Sequence, residues 1–347
     1  MTLMAQPFDA DTVTVTDRMF PVAESVGRFS VSQNGALAYM AGSPMFRQQL
    51  LWVDRSGRQL GVAAAAAQYR SVRLSPDETS IAFDRNEEGR NSDVWALDLV
   101  RGVSARITFD PTTDRLPIWS PDGRRILWSR GTVGSDLYIN AANGTGHDEK
   151  LVTVGTTFAS ATDWLRDGKF VLYQRPGDKT SLDLWIAPQS TGGGSGEPQK
   201  VFPYLATPFN EGYGVFSPDG HWIAYESDES GRPEVYVQSF PLTNQKVRIS
   251  TGGGTDAAWS ENGGELFYLA ADRNLIAVPY RATLTTFEPG ASQVLFPVPG
   301  NLVHRSFAVT GDGRRFLIGK PVDESISEPI TVVLNWLDEL KGRMPSK

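Results

Sequence analysis

The chain has 347 residues, with 40 Asp and Glu against 33 Lys and Arg, giving a formal net charge of −7. That acidic balance argues against a nucleic-acid backbone as partner, and 40% hydrophobic residues suit a folded globule rather than a disordered chain. Cysteine is absent, which removes disulfides, thiolate nucleophiles and cysteine metal sites.

The N-terminus, Met1 to Pro7, has neither the basic region nor the apolar core of a signal peptide. No apolar run approaches the roughly 20 residues of a membrane helix, so no membrane insertion by this chain is expected. Two apolar runs, Leu3 to Phe8 and Met19 to Val22, resemble Leu275 to Tyr280 and Leu295 to Val298 late in the chain. By self-similarity the chain therefore starts on the third and fourth strands of a repeat.

A hairpin signature then recurs. Its fullest form is Phe216-Ser217-Pro218-Asp219-Gly220 followed by the apolar run Ile223-Ala224-Tyr225. Proline presets the first turn dihedral, aspartate accepts from nearby amides, and glycine takes the left-handed closing position. Equivalent anchors are Ser32, Ser75, Ser120, Leu165, Ser217, Ser260 and Thr310, spaced 43 to 52 residues apart. That spacing belongs to the blade-length class of repeats. The residue before each anchor is apolar, and so is the residue six after it from Ile81 onward; the first repeat is one residue short there, at Leu37.

Each repeat reads as four strand-like runs. For Ser75 these are Val72 to Leu74, Ile81 to Phe83, Val94 to Leu97 and Arg106 to Thr108. An acid precedes the third run at Asp93, Asp136, Asp183 and Glu234. The aromatic residues at fixed places in the repeats are expected to pack between blades. Ala63 to Ala67 is too short for a helix and reads as a loop or strand tail. The glycine-rich stretch 190–196 reads as a surface loop. The expected fold is all-β: one β-propeller of four-stranded antiparallel blades. Seven blades follow from the seven anchors, with six or eight as alternatives.

Division of the chain follows from this: residues 1–26 complete the last blade, 27–341 form the propeller and 342–347 are a tail. Closure is expected from Met19 to Val22, added as the outer strand beside Phe307 to Val309, Phe316 to Ile318 and Ile330 to Leu334.

The Ser-Pro-Asp-Gly hairpins, each with a following Asp-Val/Leu-Trp/Tyr strand, resemble the TolB-like family of β-propellers, with the tricorn protease and prolyl oligopeptidase propellers as more distant relatives. A narrower likeness lies in Trp52 to Gly57, Ile107 to Pro111, Ser227 to Arg232, Ser250 to Gly254 and Val332 to Trp336. These look like the C-terminal propeller regions of bacterial membrane-bound serine/threonine protein kinases. The kinase glycine-rich loop, catalytic-loop aspartate and Asp-Phe-Gly are missing, so that activity does not carry over. The resemblance implies a sensing or docking propeller outside the cytoplasmic membrane.

Chemical motifs are scarce. There is no Gly-x-Ser-x-Gly elbow and no Walker loop. The three histidines, His147, His221 and His304, fall in different repeats without zinc spacing. No cofactor or metal is expected, and a monomer is. Five residues before each anchor come Gly27, Arg70, Arg115, Ser160, Gly212, Thr255 and Arg305. In a propeller these positions ring one mouth of the central channel, so three arginines would converge there, with Arg28 and His304 beside them. One reading has each arginine closed by a neighbouring acid such as Asp114 or Glu211. The other is a site for a small anionic ligand or a protein or peptide partner, since guanidinium forks suit carboxylates. The leading function is a non-catalytic binding or scaffold domain. The alternative is a propeller enzyme of lactonase or glycan-lyase type, which would need convergent carboxylates or histidines.

Overall fold

The computed structural model describes most residues between 3 and 334; the longest stretches outside it are 42–46, 190–199, 300–306 and 323–329. The chain divides into two compact units, Arg47–Val322 and a smaller one made of Met1–Phe46 with Asp323–Lys347.

The larger unit consists of six antiparallel sheets. From inner to outer strand, the first sheet holds Phe307–Val309, Arg315–Pro321, Gln48–Asp54 and Gln59–Ala67. The second to fifth sheets begin on the inner strands Arg70–Leu74, Asp114–Trp119, Ser160–Trp164 and Glu211–Phe216, and each runs outward through four strands in sequence order. The sixth starts at Gly254–Trp259, and its long third strand Asn274–Ala282 pairs with both Phe287–Pro289 and Gln293–Pro297. Every inner strand packs beside the next, and Phe307–Val309 returns to Arg70–Leu74, so the six inner strands close a ring.

Packing explains why the strands read as nearly continuous apolar runs. One hydrophobic cluster fills each of the six gaps between neighbouring sheets. In the second strand of the second sheet, Ile81 and Phe83 face the first sheet while Ala82 faces the third. Both faces are thus buried, and alternation by polarity disappears. The aromatics lie in these gaps as expected. Trp222 packs 5.4 Å from Phe287 between the fifth and sixth sheets, and Phe267 packs 5.2 Å from Phe316 between the sixth and first.

The anchor hairpins fold by one local recipe. The Ser75 hydroxyl donates to Asp77 at 2.6 Å and accepts from the Ser80 amide at 3.0 Å. Ser120, Ser217 and Thr310 repeat both bonds. Four residues of the turn are thereby satisfied by two side chains. The closing position is a left-handed glycine at Gly123, Gly168, Gly220, Gly263 and Gly313, but Glu78 in the second sheet, with φ of 60°. Glu78 reaches into the neighbouring hairpin instead. Its carboxylate accepts from the Gly311 amide at 2.7 Å and from Arg315 at 3.3 Å.

Two expectations are corrected. The ring contains six sheets rather than seven, because the Ser32 repeat pairs elsewhere: Val26–Val31, Leu37–Ala41 and Ile330–Val333 form a separate three-stranded sheet in the smaller unit. Closure also uses other strands. Met19 to Val22 does not join Phe307–Val309; Phe20–Ala23 pairs with Leu3–Ala5. The closing partners are Gln48–Asp54 and Gln59–Ala67, the latter including the alanine run as a strand. Gln48–Asp54 matches Arg315–Pro321 over seven residue pairs and buries Leu50, Leu51 and Val53, so it contributes more apolar contact than a four-residue edge could. The compact boundaries accordingly fall after Phe46 and Val322, not at residues 26 and 341. The glycine-rich stretch 190–196 lies outside the described residues.

Candidate functional site

Strand direction gives the ring two rims. One carries the anchor hairpins. The other carries the loops from second to third strand and the crossovers from each outer strand to the next inner one.

The acids before the third strands hold the crossovers. Glu234 accepts from the Gly252 and Gly253 amides at 2.8 and 3.0 Å and from the Ser250 hydroxyl. Burial works against its charge, but these donors together hold the carboxyl below the usual range. Asp136 accepts from the Val154 amide and pairs with Lys150 at 2.7 Å. Asp93 pairs with Arg106 at 2.8 Å and takes the Thr108 hydroxyl at 3.4 Å, while Thr180 donates to Asp183 at 2.5 Å. The repeated acid is a loop clamp.

The expected mouth residues divide. His304 and Arg305 lie outside the described residues. Gly27 and Arg28 belong to Val26–Val31 of the smaller unit, so they are not equivalent positions of the six-sheet ring. Arg70 is exposed at the start of its strand. Thr255 lines an open groove of about 490 Å³ with Arg232, Pro233, the glycines Gly252 to Gly254, Leu269 and Ala271.

Arg115 is the informative one. Neither acid proposed as its cap is available. Asp114 is fully buried and accepts two bonds from Arg130, at 2.8 and 2.9 Å, while Arg130 also reaches Asp148 and Asp110. Burial pushes the Asp114 carboxyl up, opposed by Arg130. Glu211 takes the Thr207 hydroxyl and amide, and burial pushes its carboxyl up too. Arg115 makes no ion pair among the described residues. It donates to the Gly131 carbonyl at 3.3 Å, its buried Nε makes no hydrogen bond, and its guanidinium lies 5.2 Å from the centre of the Phe158 ring.

Phe158 also walls a cavity of about 80 Å³ in the channel, with Leu116, Ser160, Ala161, Gln174, Leu182 and Tyr213 among its lining. A backbone irregularity shapes it. Four inner strands carry a left-handed residue four before the anchor, namely Ser71, Leu116, Tyr213 and Asp256. Three of these donate their amides to a side chain of the preceding sheet: Leu116 to Asp84 at 3.2 Å, Tyr213 to Gln174 at 2.7 Å and Asp256 to Glu226 at 2.8 Å. Gly212 beside Tyr213 has no room for a side chain, since a Cβ would stand 2.9 Å from Leu182 Cδ1 and 3.1 Å from Gln174 Oε1.

Sequence reasoning reached Arg115, Ser160 and Thr255 but missed Phe158, Leu182 and Gln174. A signal for the last was present: nine residues after the anchor, Asp84, Gln174 and Glu226 interrupt otherwise apolar strands. Also missed were Arg85, Arg130 and Arg175, one position later, which stack 3.6, 4.4 and 4.1 Å from the ring centres of Trp95, Tyr138 and Trp185. Among the described residues no group of three or more His, Asp or Glu converges as metal ligands, and no helix is long and apolar enough to cross a membrane.

Comparison with solved structures agrees with the ring. A putative TolB from Agrobacterium tumefaciens superposes with a TM-score of 0.58 at 16% identity, over 80% of this chain and 99% of the other. TolB from Acinetobacter baumannii gives 0.51 at 14% identity, over 88% and 79%. The chain has the TolB-like β-propeller fold. An oligogalacturonate lyase in complex with manganese shares it too, with a TM-score of 0.53 at 13% identity over 89% and 82% of the two chains. No known family profile matches the sequence. In sequence, 171 residues are 24% identical to the uncharacterized peptidase YuxL of Bacillus subtilis (strain 168). They cover 48% of this chain and 23% of YuxL, so the chain spans under a quarter of that relative's length.

Proposed function

We propose that this propeller is a non-catalytic binding domain that engages an acidic peptide segment at the channel mouth on the crossover rim. The observation that carries the reading is Arg115. Its guanidinium stands over Phe158 without a carboxylate partner, while Asp114 and Glu211 beside it in sequence are committed elsewhere. A partly buried cation left to a weak carbonyl bond is costly unless an anion completes it. The fork of the guanidinium suits a carboxylate, and the ring platform suits the apolar part of a peptide. The groove at Thr255 and Arg232 extends the same rim.

The two buried carboxylates raised above their ordinary range, Asp114 and Glu211, are already hydrogen-bonded. Neither stands ready as a general base, which favours binding over catalysis. The test is calorimetric titration with a blocked acidic dipeptide. Arg115→Ala should weaken binding by about 1–3 kcal/mol and leave the melting temperature in place. Equal affinity of wild type and variant would overturn the reading.

A further inference from the structure

The three inter-sheet clips perform one task with different chemistry. Asp84, Gln174 and Glu226 each accept the amide of a left-handed residue in the next inner strand. Two are carboxylates, which only accept. Gln174 is an amide, and its orientation is fixed: because Oε1 must take the Tyr213 N–H, Nε2 is turned the other way with two N–H groups. A carboxylate would serve the clip equally well, as the other two sheets show. The amide therefore brings something that the clip does not use.

Those two donors line the cavity. Gln174 is 4% exposed and Ser160 2% exposed, yet neither Nε2 nor the Ser160 Oγ makes a hydrogen bond among the described residues. Both side chains sit on neighbouring strands at one rung, Ser160 opposite Gln174. Buried donors at that depth are expected to meet acceptors. The remaining walls, Leu116, Phe158, Ala161 and Leu182, are apolar and disfavour a full charge. The volume accommodates a group of a few heavy atoms.

We infer that this cavity is a socket for an uncharged carbonyl group, the shared chemistry of a peptide bond and a primary carboxamide. The carbonyl oxygen accepts from Gln174 Nε2 and Ser160 Oγ, and Phe158 and Leu182 cover its apolar flank. Resting on the peptide-binding reading above, it adds a second subsite: an anionic group on Arg115 outside Phe158, a neutral carbonyl inside it.

The experiment uses N-acetylglycinamide as neutral probe and acetate as anionic probe, followed through the side-chain NH₂ correlations of the ¹⁵N-labelled chain. The Gln174 pair, assigned by its loss in Gln174→Glu, should shift saturably with N-acetylglycinamide. Gln174→Glu keeps an acceptor for the Tyr213 amide, so the thermal transition should stay while affinity for the neutral probe falls at least tenfold. Ser160→Ala, a smaller change, should weaken it several-fold and guards against a folding defect in the first variant. An unmoved Gln174 pair at saturating probe, or wild-type affinity in both variants, overturns the socket. If acetate still binds and loses affinity in Arg115→Ala while the neutral probe is ignored, the socket fails alone. If the neutral probe binds through Gln174 but Arg115→Ala changes nothing, the socket stands and the anionic reading fails.

Discussion

The hairpin rim and the crossover rim of the ring are built by opposite strategies. At the hairpins, the same hydroxyl and the same aspartate solve the same turn within five residues, at Ser75, Ser120, Ser217 and Thr310. At the crossovers, the acid before the third strand finds a different partner each time: Arg106, Lys150, Thr180 or two glycine amides. A turn closed locally can repeat in sequence, because its solution does not depend on the neighbours. A crossover must fit two sheets at once, so its residues diverge, and the divergence leaves the groove and the cavity. Uniformity stabilises; irregularity makes room for a ligand.

The sharpest way to break this contrast is to cut the ring where its two ends meet. Phe316 is fully buried against Phe267, Phe296 and Phe307 in the first sheet. Phe316→Ala should cost about 3–5 kcal/mol, read as a lower midpoint in denaturant titration. A loss under about 1 kcal/mol would mean that the first sheet contributes little to closure.

A smaller effect tests the one hairpin that departs from the recipe. Glu78→Ala keeps a side chain in the left-handed position and loses the bond from the Gly311 amide, for a cost of roughly 1–2 kcal/mol. Glu78→Gly loses the same bond but regains about 1 kcal/mol of backbone relief. Glycine should therefore melt above alanine. The reverse order would show that the reach to the next hairpin is not what selects glutamate here.

Acid should separate the rims further. Hydrogen bonds from Ser75, Ser120 and Thr310 hold Asp77, Asp122 and Asp312 below the usual carboxylate range, and the Ser56 hydroxyl brings Asp54 to about 2. A depressed folded-state pKa gives stability that is present above the unfolded value, near 3.9, and lost as pH falls through the folded one. Burial raises Asp114 and Glu211, so protonating these two favours the folded state as pH falls through their raised values. Carboxyl carbon NMR should find the hairpin acids titrating below about pH 4 and these two above it. Overlapping titrations would erase the contrast.

The smallest expected effect is none. The hairpin aspartates already spend their oxygens on hydroxyls and amides, for example Asp122 on Ser120 and Arg124, so chelator should leave the thermal transition unmoved. A fall of many degrees would mean that an ion shares those turns.

Legibility in the sequence followed the same division. The anchors, the third-strand acids and the interleaved aromatics are local or periodic, and they were readable from Ser75 to Thr310. Blade number was not, because the Ser32 repeat has the local pattern yet Leu37–Ala41 pairs with Ile330–Val333, a choice made by partners far along the chain. Arg115 could be placed by counting from the anchor. Its partner could not, since Asp114 is adjacent in sequence but its strand neighbour across the ladder is Arg130. Gln174 was hidden for a related reason: what it clips lies in another sheet.

The way the ring closes also sets an order of events. Gln48–Asp54 and Gln59–Ala67 leave the ribosome early but find their inner neighbour only when Arg315–Pro321 has been made. Until then they are a hairpin with an open edge, and the second sheet lacks one wall of its core. Synthesis proceeds at roughly 5–20 residues per second, so this interval lasts many seconds for each nascent chain. A bacterial cell making the protein must shield that edge for longer than most loops take to close. The polar Gln48 and Gln49 at its start, and the exposed Gln59 opposite, are suited to a strand that has to wait in water.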